Sequence, residues 1–203
     1  MADLYLDSVS AFLKLAISKD GSIIACQAQN QQGSKFLFRE LEKLLMQAGI
    51  TLQDIKAIYF NRGPGSFTGI KVGHVFSQAL TVLGGANLGS FTTFDLMAMA
   101  VGEDRGAAFL LYAYQNEYFI GRCVDGKFHF DVVSREAAQQ IPKAYFWGLD
   151  KYCLENFHQI SEPPADNLAY LKESGCLSET IEPLYLKKSN AEINLDRALK
   201  KSL

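Results

Sequence analysis

The feature that most constrains the fold is a glycine-rich turn between two regular elements. It reads Gly63-Pro64-Gly65-Ser66-Phe67-Thr68-Gly69 and joins a short apolar run, residues 58–60, to a helical pattern that begins near Ser66. Glycines allow positive φ, and the N–H groups at the start of a helix attract anions, so this arrangement can cradle a phosphate. A rigid corner fixed by Pro64 explains the same residues equally well. No Gly-Lys-Ser/Thr follows, so the turn is not a Walker-type phosphate loop.

The first half of the chain predicts the element order βββαβα. Ser34 can cap the first helix and Gly49 can end it, while Thr51 and Asp54 have the spacing of a capping box and predict one helical turn. The alternation of apolar residues predicts strands at 4–6, 12–18, 22–29 and 57–60 and helices at 34–48 and 66–83.

The second half repeats that order, and Ser134 can cap its first helix. The predicted elements are strands at 107–114, 117–124, 127–133 and 145–147 and helices at 135–140 and 166–174. We therefore expect an α/β fold of two similar halves, 1–102 and 103–203, with a cleft between them that is the natural place for a ligand or partner. A last helix at 191–201 is expected to pack on either half.

Composition excludes several classes of protein. With 48% hydrophobic and 21% charged residues, the chain is neither disordered nor collagen-like. Its 20 basic and 22 acidic residues nearly cancel, so we do not expect it to hold nucleic acid by itself. The four cysteines form no CxxC pair, and no apolar run is long enough to cross a membrane, which predicts a reducing compartment, the cytoplasm, and no membrane contact.

The sequence offers no complete catalytic set. The histidines, His74, His129 and His158, are far apart and form no HxxxH pair, so we predict neither a metal site nor catalytic residues. Asp7, at the end of the first strand, is either a ligand of phosphate-bound metal or a turn former. Weak candidates for binding a cofactor are Asp7, Gly65, Ser66 and Thr68.

Two helices have features of a protein interface. The helix at 66–83 carries little charge on its outer side, where Lys71, His74, Ser77, Gln78 and Thr81 lie, and Gly69 and Gly73 would leave a smooth patch for another helix. On the helix at 34–48, Phe36 and Met46 fall outside the apolar stripe. We predict that these nine residues lie at a partner contact. The alternative is that Phe36 and Met46 are covered by neighbouring loops.

An eleven-residue stretch carries a family resemblance. The run from Gly63 continues as Ile70-Lys71-Val72-Gly73 and resembles the GPGSFTGLRIG signature of the TsaB (YeaZ) family. Other segments are similar to the same family, namely Leu4-Tyr5-Leu6-Asp7-Ser8, residues 48–54, Ser90-Phe91-Thr92-Thr93-Phe94 and Pro183-Leu184-Tyr185-Leu186-Lys187. The resemblance implies an actin-like (ASKHA) α/β fold made of two ribonuclease H-like βββαβα halves.

The resemblance also implies a function in making N6-threonylcarbamoyladenosine at position 37 of tRNA. A family member would be a non-catalytic scaffold or activator that binds its catalytic paralogue TsaD, together with the ATPase TsaE, through the two helices described above. It can self-associate in the same way, and it would meet tRNA only through the complex. No cofactor is expected for the chain alone, whereas ATP or ADP can bind in the complex. The competing interpretation from the residues is a small actin-like nucleotide-binding kinase that uses Asp7 and the glycine-rich turn.

The chain departs from the family pattern at two places. Tyr112 and Tyr114 stand where relatives have a charged pair, and Gly33 stands where they often have a histidine. We therefore expect packing or hydroxyl contacts rather than charged contacts from the two tyrosines. Residues 141–162 match weakly, so no role is assigned to them.

Overall fold

In the computed structural model, which describes residues 2–20, 22–28, 36–102, 106–124, 127–188 and 192, the strands form two sheets of five. The first sheet contains β1 (Ala2–Asp7), β2 (Leu13–Lys19), β3 (Ser22–Ala28), β4 (Ile55–Asn61) and β5 (Asn87–Phe91). Its order is β3-β2-β1-β4-β5. The pairs β1–β2 and β2–β3 are antiparallel, whereas β1–β4 and β4–β5 are parallel.

The second sheet has the same plan. It contains β6 (Ala108–Tyr112), β7 (Glu117–Val124), β8 (Lys127–Ser134), β9 (Ala144–Trp147) and β10 (Phe157–Gln159). Counted from the opposite edge, its order is β8-β7-β6-β9-β10. The pairs β8–β7 and β7–β6 are antiparallel, whereas β6–β9 and β9–β10 are parallel, as in the first sheet. The predicted α/β fold of two similar halves is confirmed.

The helices connect these strands. They are α1 (Leu37–Ala48), α2 (Phe67–Gly84), α3 (Thr93–Val101) and α4 (Arg135–Gln139). Ser66 and the predicted cap Ser134 accept hydrogen bonds from Gly69 N and Ala137 N, so both cap their helices, and Gly49 ends α1 in a left-handed conformation. The position before α1 is occupied by Phe36; the predicted cap Ser34, like Gly33 and most of the helix at 191–201, lies outside the described residues.

Side-chain alternation in β1 and β2 builds two cores on opposite faces of the first sheet. Leu4, Leu6 and Leu15 point to the face that α1 and α2 cover, while Tyr5 and Ala16 point to the other face. That second face is covered by α3 and by a 3-10 helix, Ala165–Leu171, which contacts β1, β2 and β3. Both faces of the sheet are therefore buried.

This packing changes the assignment of one predicted element. The predicted α-helix at 166–174 is a 3-10 helix at Ala165–Leu171, and it packs on the first half although it belongs to the segment assigned to the second. The same segment continues along β5, where Ser90 and Ser178 form a bridge. The elements β5, α3 and β10 were not predicted. Phe94 of α3 stacks on Phe128 and Phe130 of β8, so the two halves share one apolar core.

Candidate functional site

The glycine-rich turn is a closely packed corner that follows the carboxyl end of β4 in the first sheet. A Cβ on Gly63 would lie 2.9 Å from the Leu184 carbonyl oxygen, and one on Gly65 would lie 2.6 Å from Val9 Cγ1. Both glycines have positive φ, 113° and 151°. Gly63 N donates to Asn61 Oδ1 at 2.9 Å and Ser66 N donates to Val9 O at 3.3 Å. These donors are already used within the chain, which favours the rigid-corner interpretation.

Asp7 holds this corner to the end of β1. It is fully buried, and its Oδ1 accepts from Val9 N at 3.0 Å, Ser10 N at 3.1 Å and Asn61 Nδ2 at 3.0 Å. Ser10 Oγ also donates to Asp7 Oδ2. With both oxygens engaged and the side chain fully buried, Asp7 closes a turn in this conformation.

Asn61 carries the network across to α3. Its Nδ2 donates to Thr93 Oγ1 at 3.1 Å, and Thr93 Oγ1 donates to the Pro64 carbonyl at 2.7 Å. Thr93 N donates to the Gly63 carbonyl at 3.0 Å. The ends of β1 and β4, the turn and the start of α3 are therefore one buried hydrogen-bonded unit.

Two adjoining clefts separate the halves, and the turn borders both. The first, the Trp147 cleft, has a volume of about 550 Å³ and is lined by residues 9–12, 64–66, 147–149 and 159–162, with Thr93, Leu111, Tyr112 and Tyr152. The second, the lysine cleft, has a volume of about 780 Å³ and is lined by residues 64–68, 112–114 and 184–188, with Ile70, Lys71, Phe119 and Tyr152. Three predicted cofactor residues, Gly65, Ser66 and Thr68, line one or both clefts, whereas Asp7 is buried behind them.

The two tyrosines that depart from the family pattern are at the mouth of these clefts. The Tyr112 ring stacks on Tyr152 with centroids 3.7 Å apart, and the Tyr114 side chain is 62% exposed. Lys187 pairs with Glu117 beside them, and burial raises the pKa of the Tyr185 hydroxyl above its ordinary value. The predicted aromatic packing in place of charged contacts agrees with the Tyr112 geometry.

A charged group that the sequence did not predict lies behind the Trp147 cleft. Lys14, the second residue of β2, is fully buried, and its Nζ lies 2.5 Å from Glu162 Oε1 and 3.7 Å from Asp7 Oδ2. Trp147 Nε1 donates to Glu162 Oε2 at 2.7 Å. The only sequence signal for this group is a lysine inside an apolar strand, since a strand covered on both faces leaves no exposed side for it.

The nine predicted interface residues do not all lie on one surface. Gly69, Gly73 and Ser77 are buried against the chain itself: a Cβ on Gly69 would overlap the Ser8 carbonyl, and one on Gly73 would lie 2.5 Å from Ser8 Oγ. Gly69 and Gly73 lie against the end of β1, and Ser77 is buried on the same helix, so these three residues are not on the surface of α2 in this conformation. Phe36 is only partly exposed and lies under the Arg39 guanidinium, 4.7 Å from it.

The other predicted residues are nearer the outside. Lys71, Gln78 and Met46 are exposed, while Thr81 is partly exposed and donates to the Gln78 carbonyl. His74 is half-buried, with its ring 5.3 Å from that of Phe60. Exposed apolar side chains that the sequence did not single out lie on the same two helices, namely Phe38, Val75, Val82 and Leu83. Together with Met46 and Ala79, these four residues are called the α1/α2 surface below.

The histidines do not come together. His74 is on α2, His129 on β8 and His158 on β10. Within the part of the chain that the structure describes, no three histidine, cysteine, aspartate or glutamate side chains are grouped so that they could hold a metal ion. None of the described helices is long and apolar enough to span a membrane.

Comparisons with known proteins agree with this fold. A family model described as TsaD, tRNA N6-adenosine threonylcarbamoyltransferase, matches residues 24–145. A crystal structure from Pseudomonas aeruginosa, of an uncharacterized protein with similarity to peptidase YEAZ, superposes with a TM-score of 0.74 over 92% of this chain and 99% of that chain, at 21% identity. The YeaZ structure from the same organism gives a TM-score of 0.70 over 91% and 100%, at 20% identity.

Two curated relatives are similar in sequence. Both carry the name tRNA threonylcarbamoyladenosine biosynthesis protein TsaB. The Escherichia coli protein is 33% identical over 109 residues, which is 52% of this chain and 45% of the relative. The Haemophilus influenzae protein is 36% identical over 83 residues, or 41% of this chain and 32% of the relative. The chain thus aligns with less than half the length of either relative. On the family model the chain belongs to the TsaD-type family, and the relatives and structures that it resembles are TsaB (YeaZ) proteins.

Proposed function

We propose that this chain takes part in forming threonylcarbamoyladenosine in tRNA, as a non-catalytic subunit that binds a TsaD-type protein through the α1/α2 surface. The names of its relatives support the process, and the match to a TsaD-type family model supports a common fold for the chain and the proposed partner. TsaE and tRNA remain predicted partners of the complex rather than of this chain alone, and self-association is the competing use of the same surface.

The observation that carries the proposal is the apolar character of two neighbouring helices. Met46 is 76% exposed, Val82 is 84% exposed and Phe38 is 67% exposed. Large apolar groups gathered on one surface typically mark a contact with another protein. The Phe38 ring meets that of buried Phe76 at 4.8 Å, so α1 and α2 are in contact at this point.

The spacing on α2 suits a partner helix. Val75, Ala79 and Val82 are exposed and recur at intervals of four and three residues, so they form one stripe along the helix. Ala79 is the smallest of the three and lets a second helix approach closely at the middle of the stripe. Lys71 and Gln78 border it with polar groups, as at the rim of a protein interface.

Copurification with a TsaD-type protein tests the proposal. Met46→Asp combined with Val82→Asp places two charges on the α1/α2 surface, and we expect it to abolish copurification while circular dichroism and Tm stay near those of the unchanged chain. Val124→Asp is the matched control, since Val124 is 50% exposed at the end of β7 in the other half. If the doubly substituted chain still copurifies as well as the control, the assignment of the surface is wrong.

The process is tested separately in cells. Cells lacking this chain should lose threonylcarbamoyladenosine from tRNA, and the unchanged chain, but not the doubly substituted one, should restore it. Full restoration by the substituted chain would show that the modification does not depend on this contact. Modified tRNA that persists in the deleted cells would contradict the proposed process itself.

A further inference from the structure

Lys14 is a buried ammonium group that needs an anion beside it. Its side chain is 1% exposed, and its nearest charged atoms are Glu162 Oε1 at 2.5 Å and Asp7 Oδ2 at 3.7 Å. Removing an ammonium group from water is costly unless an opposite charge is close. The position that Glu162 fills must therefore hold a negative group for as long as Lys14 stays charged.

Asp7 cannot take over that position. Its carboxylate already accepts from the backbone of Val9 and Ser10 and from Asn61, and those bonds hold the glycine-rich turn. Moving Asp7 toward Lys14 would leave buried donors without acceptors, which destabilises the fold. Glu162 is therefore the partner that can be exchanged.

Glu162 reaches Lys14 from the side of the solvent. It follows β10 in an irregular segment, its side chain is 19% exposed, and among the described residues it is the only charged one that lines the Trp147 cleft. Rotation about its side-chain bonds would expose two donors to the cleft, Lys14 Nζ and Trp147 Nε1, without moving a strand. The cleft next to them, about 550 Å³, is large enough for a small organic molecule.

We propose that Lys14 Nζ and Trp147 Nε1 form a binding site for the carboxylate of a small organic acid, and that the Glu162 side chain occupies this site until such a ligand displaces it. The ligand is a monoanion, because Asp7 lies 3.7 Å from Lys14 and would repel a second negative charge. Its remainder is apolar or aromatic, because Val9, Leu111, Leu149 and Ile160 line the cleft. This site does not depend on the proposed partner of the chain.

Fluorescence reports directly on this site, because Trp147 is the only tryptophan in the chain. The probes are acetate and benzoate, titrated at constant pH and ionic strength against Glu162→Ala and the unchanged chain. Glu162→Ala should bind both acids saturably, with a rise in Tm, and at least about tenfold more tightly than the unchanged chain, which must first release Glu162. Chloride at the same ionic strength should have no such effect.

Two further variants make the test specific. Glu155→Ala removes an exposed glutamate from the same half and should behave like the unchanged chain. Lys14→Met combined with Glu162→Ala should bind the acids at least about tenfold more weakly than Glu162→Ala alone. The proposal fails if Glu162→Ala responds to neither acid, or if its response survives loss of Lys14.

Glu162→Gln is the second variant, used in case Glu162→Ala does not fold. It keeps an oxygen that can accept from Trp147 Nε1 but removes the charge that faces Lys14. If Glu162→Ala folds only when acetate or benzoate is added, that recovery supports the site. If neither acid restores it and folded Glu162→Gln gives no saturable change in Trp147 fluorescence, the site is refuted.

Discussion

Gly69 of α2 is in direct contact with Ser8, the first residue after β1. A Cβ on Gly69 would lie 2.9 Å from the Ser8 carbonyl carbon, and Ser8 Oγ donates to the Gly69 carbonyl at 2.8 Å. Gly69→Ala must therefore push α2 away from the end of β1. We expect a loss of about 3 kcal/mol in the free energy of unfolding, measured by urea denaturation, since the obstacle is backbone that cannot rotate aside.

Gly106→Ala is the control for this change. A Cβ at Gly106 would meet no atom within 4 Å among the described residues, and its φ is outside the left-handed range. We expect the free energy of unfolding to change by less than about 0.5 kcal/mol. Equal stability of the two alanine variants would mean that α2 does not lie against Ser8 as described.

The second prediction separates Phe38 from Phe36, which the sequence singled out. Phe38 is 67% exposed on the α1/α2 surface, whereas Phe36 is partly covered and lies under Arg39. If the proposed docking is correct, Phe38→Ala should weaken binding of the TsaD-type partner by about 2 kcal/mol, or roughly 30-fold in Kd, because aromatic anchors dominate such contacts. Calorimetric titration measures the change, and Phe36→Ala is the matched variant with a smaller expected effect. A larger effect of Phe36→Ala would reverse the assignment.

Elements with a strong local signal could be predicted from the sequence. The strand β7, Glu117–Val124, begins and ends where the alternation of apolar residues predicts, and α2 differs from its predicted bounds by one residue at each end. In both cases the information is local, since it comes from side-chain periodicity and from residues that end or cap the element.

Elements defined by their neighbours could not be predicted in this way. The helix α3 is buried almost all round, with Phe94, Leu96 and Met97 each at most 1% exposed, so it shows no amphipathic period. Its one local signal was a capping box at Thr92 and Asp95, whose side chains and backbone exchange hydrogen bonds. Apart from a lysine inside an apolar strand, the pair of Lys14 and Glu162 has no local signal, because the fold alone brings β2 next to the segment after β10.

The third prediction concerns Asp7 as a structural residue. Because its carboxylate accepts buried hydrogen bonds from Val9, Ser10 and Asn61, Asp7→Ala should reduce the free energy of unfolding by about 3 kcal/mol or more. Asp131→Ala, at an exposed position of β8, is the control and should have little effect.

The same carboxylate bears on the kinase alternative. With both oxygens of Asp7 engaged, we expect ATP with magnesium to leave the Tm of the isolated chain unchanged within about 1 °C, since a ligand that does not bind the folded state gives no stabilisation. ATP or ADP then remains a prediction for the complex only. A saturable rise in Tm that requires both ATP and magnesium would instead support a nucleotide-binding function for the chain alone.

The last prediction is that the stabilisation provided by the turn before β4 depends on pH. Asp54 accepts hydrogen bonds from Thr51 N and Thr51 Oγ1, both at 2.8 Å, and these bonds lower the pKa of its carboxyl below the ordinary value of 3.8. Because the pKa is lower in the folded state, the stabilisation is fully present above the ordinary pKa. It is lost as the pH falls through the folded-state pKa.

Substitutions at this turn separate its two donors. Asp54→Asn should unfold at a lower Tm than the unchanged chain at pH 7, and the difference should shrink as the pH falls below about 4. Thr51→Ala removes the hydroxyl donor but keeps the backbone donor, so its Tm at pH 7 should lie between the two. Thermal unfolding at a series of pH values measures all three curves. A Tm difference between Asp54→Asn and the unchanged chain that stays constant down to pH 2 would show that the charge of Asp54 does not stabilise the turn.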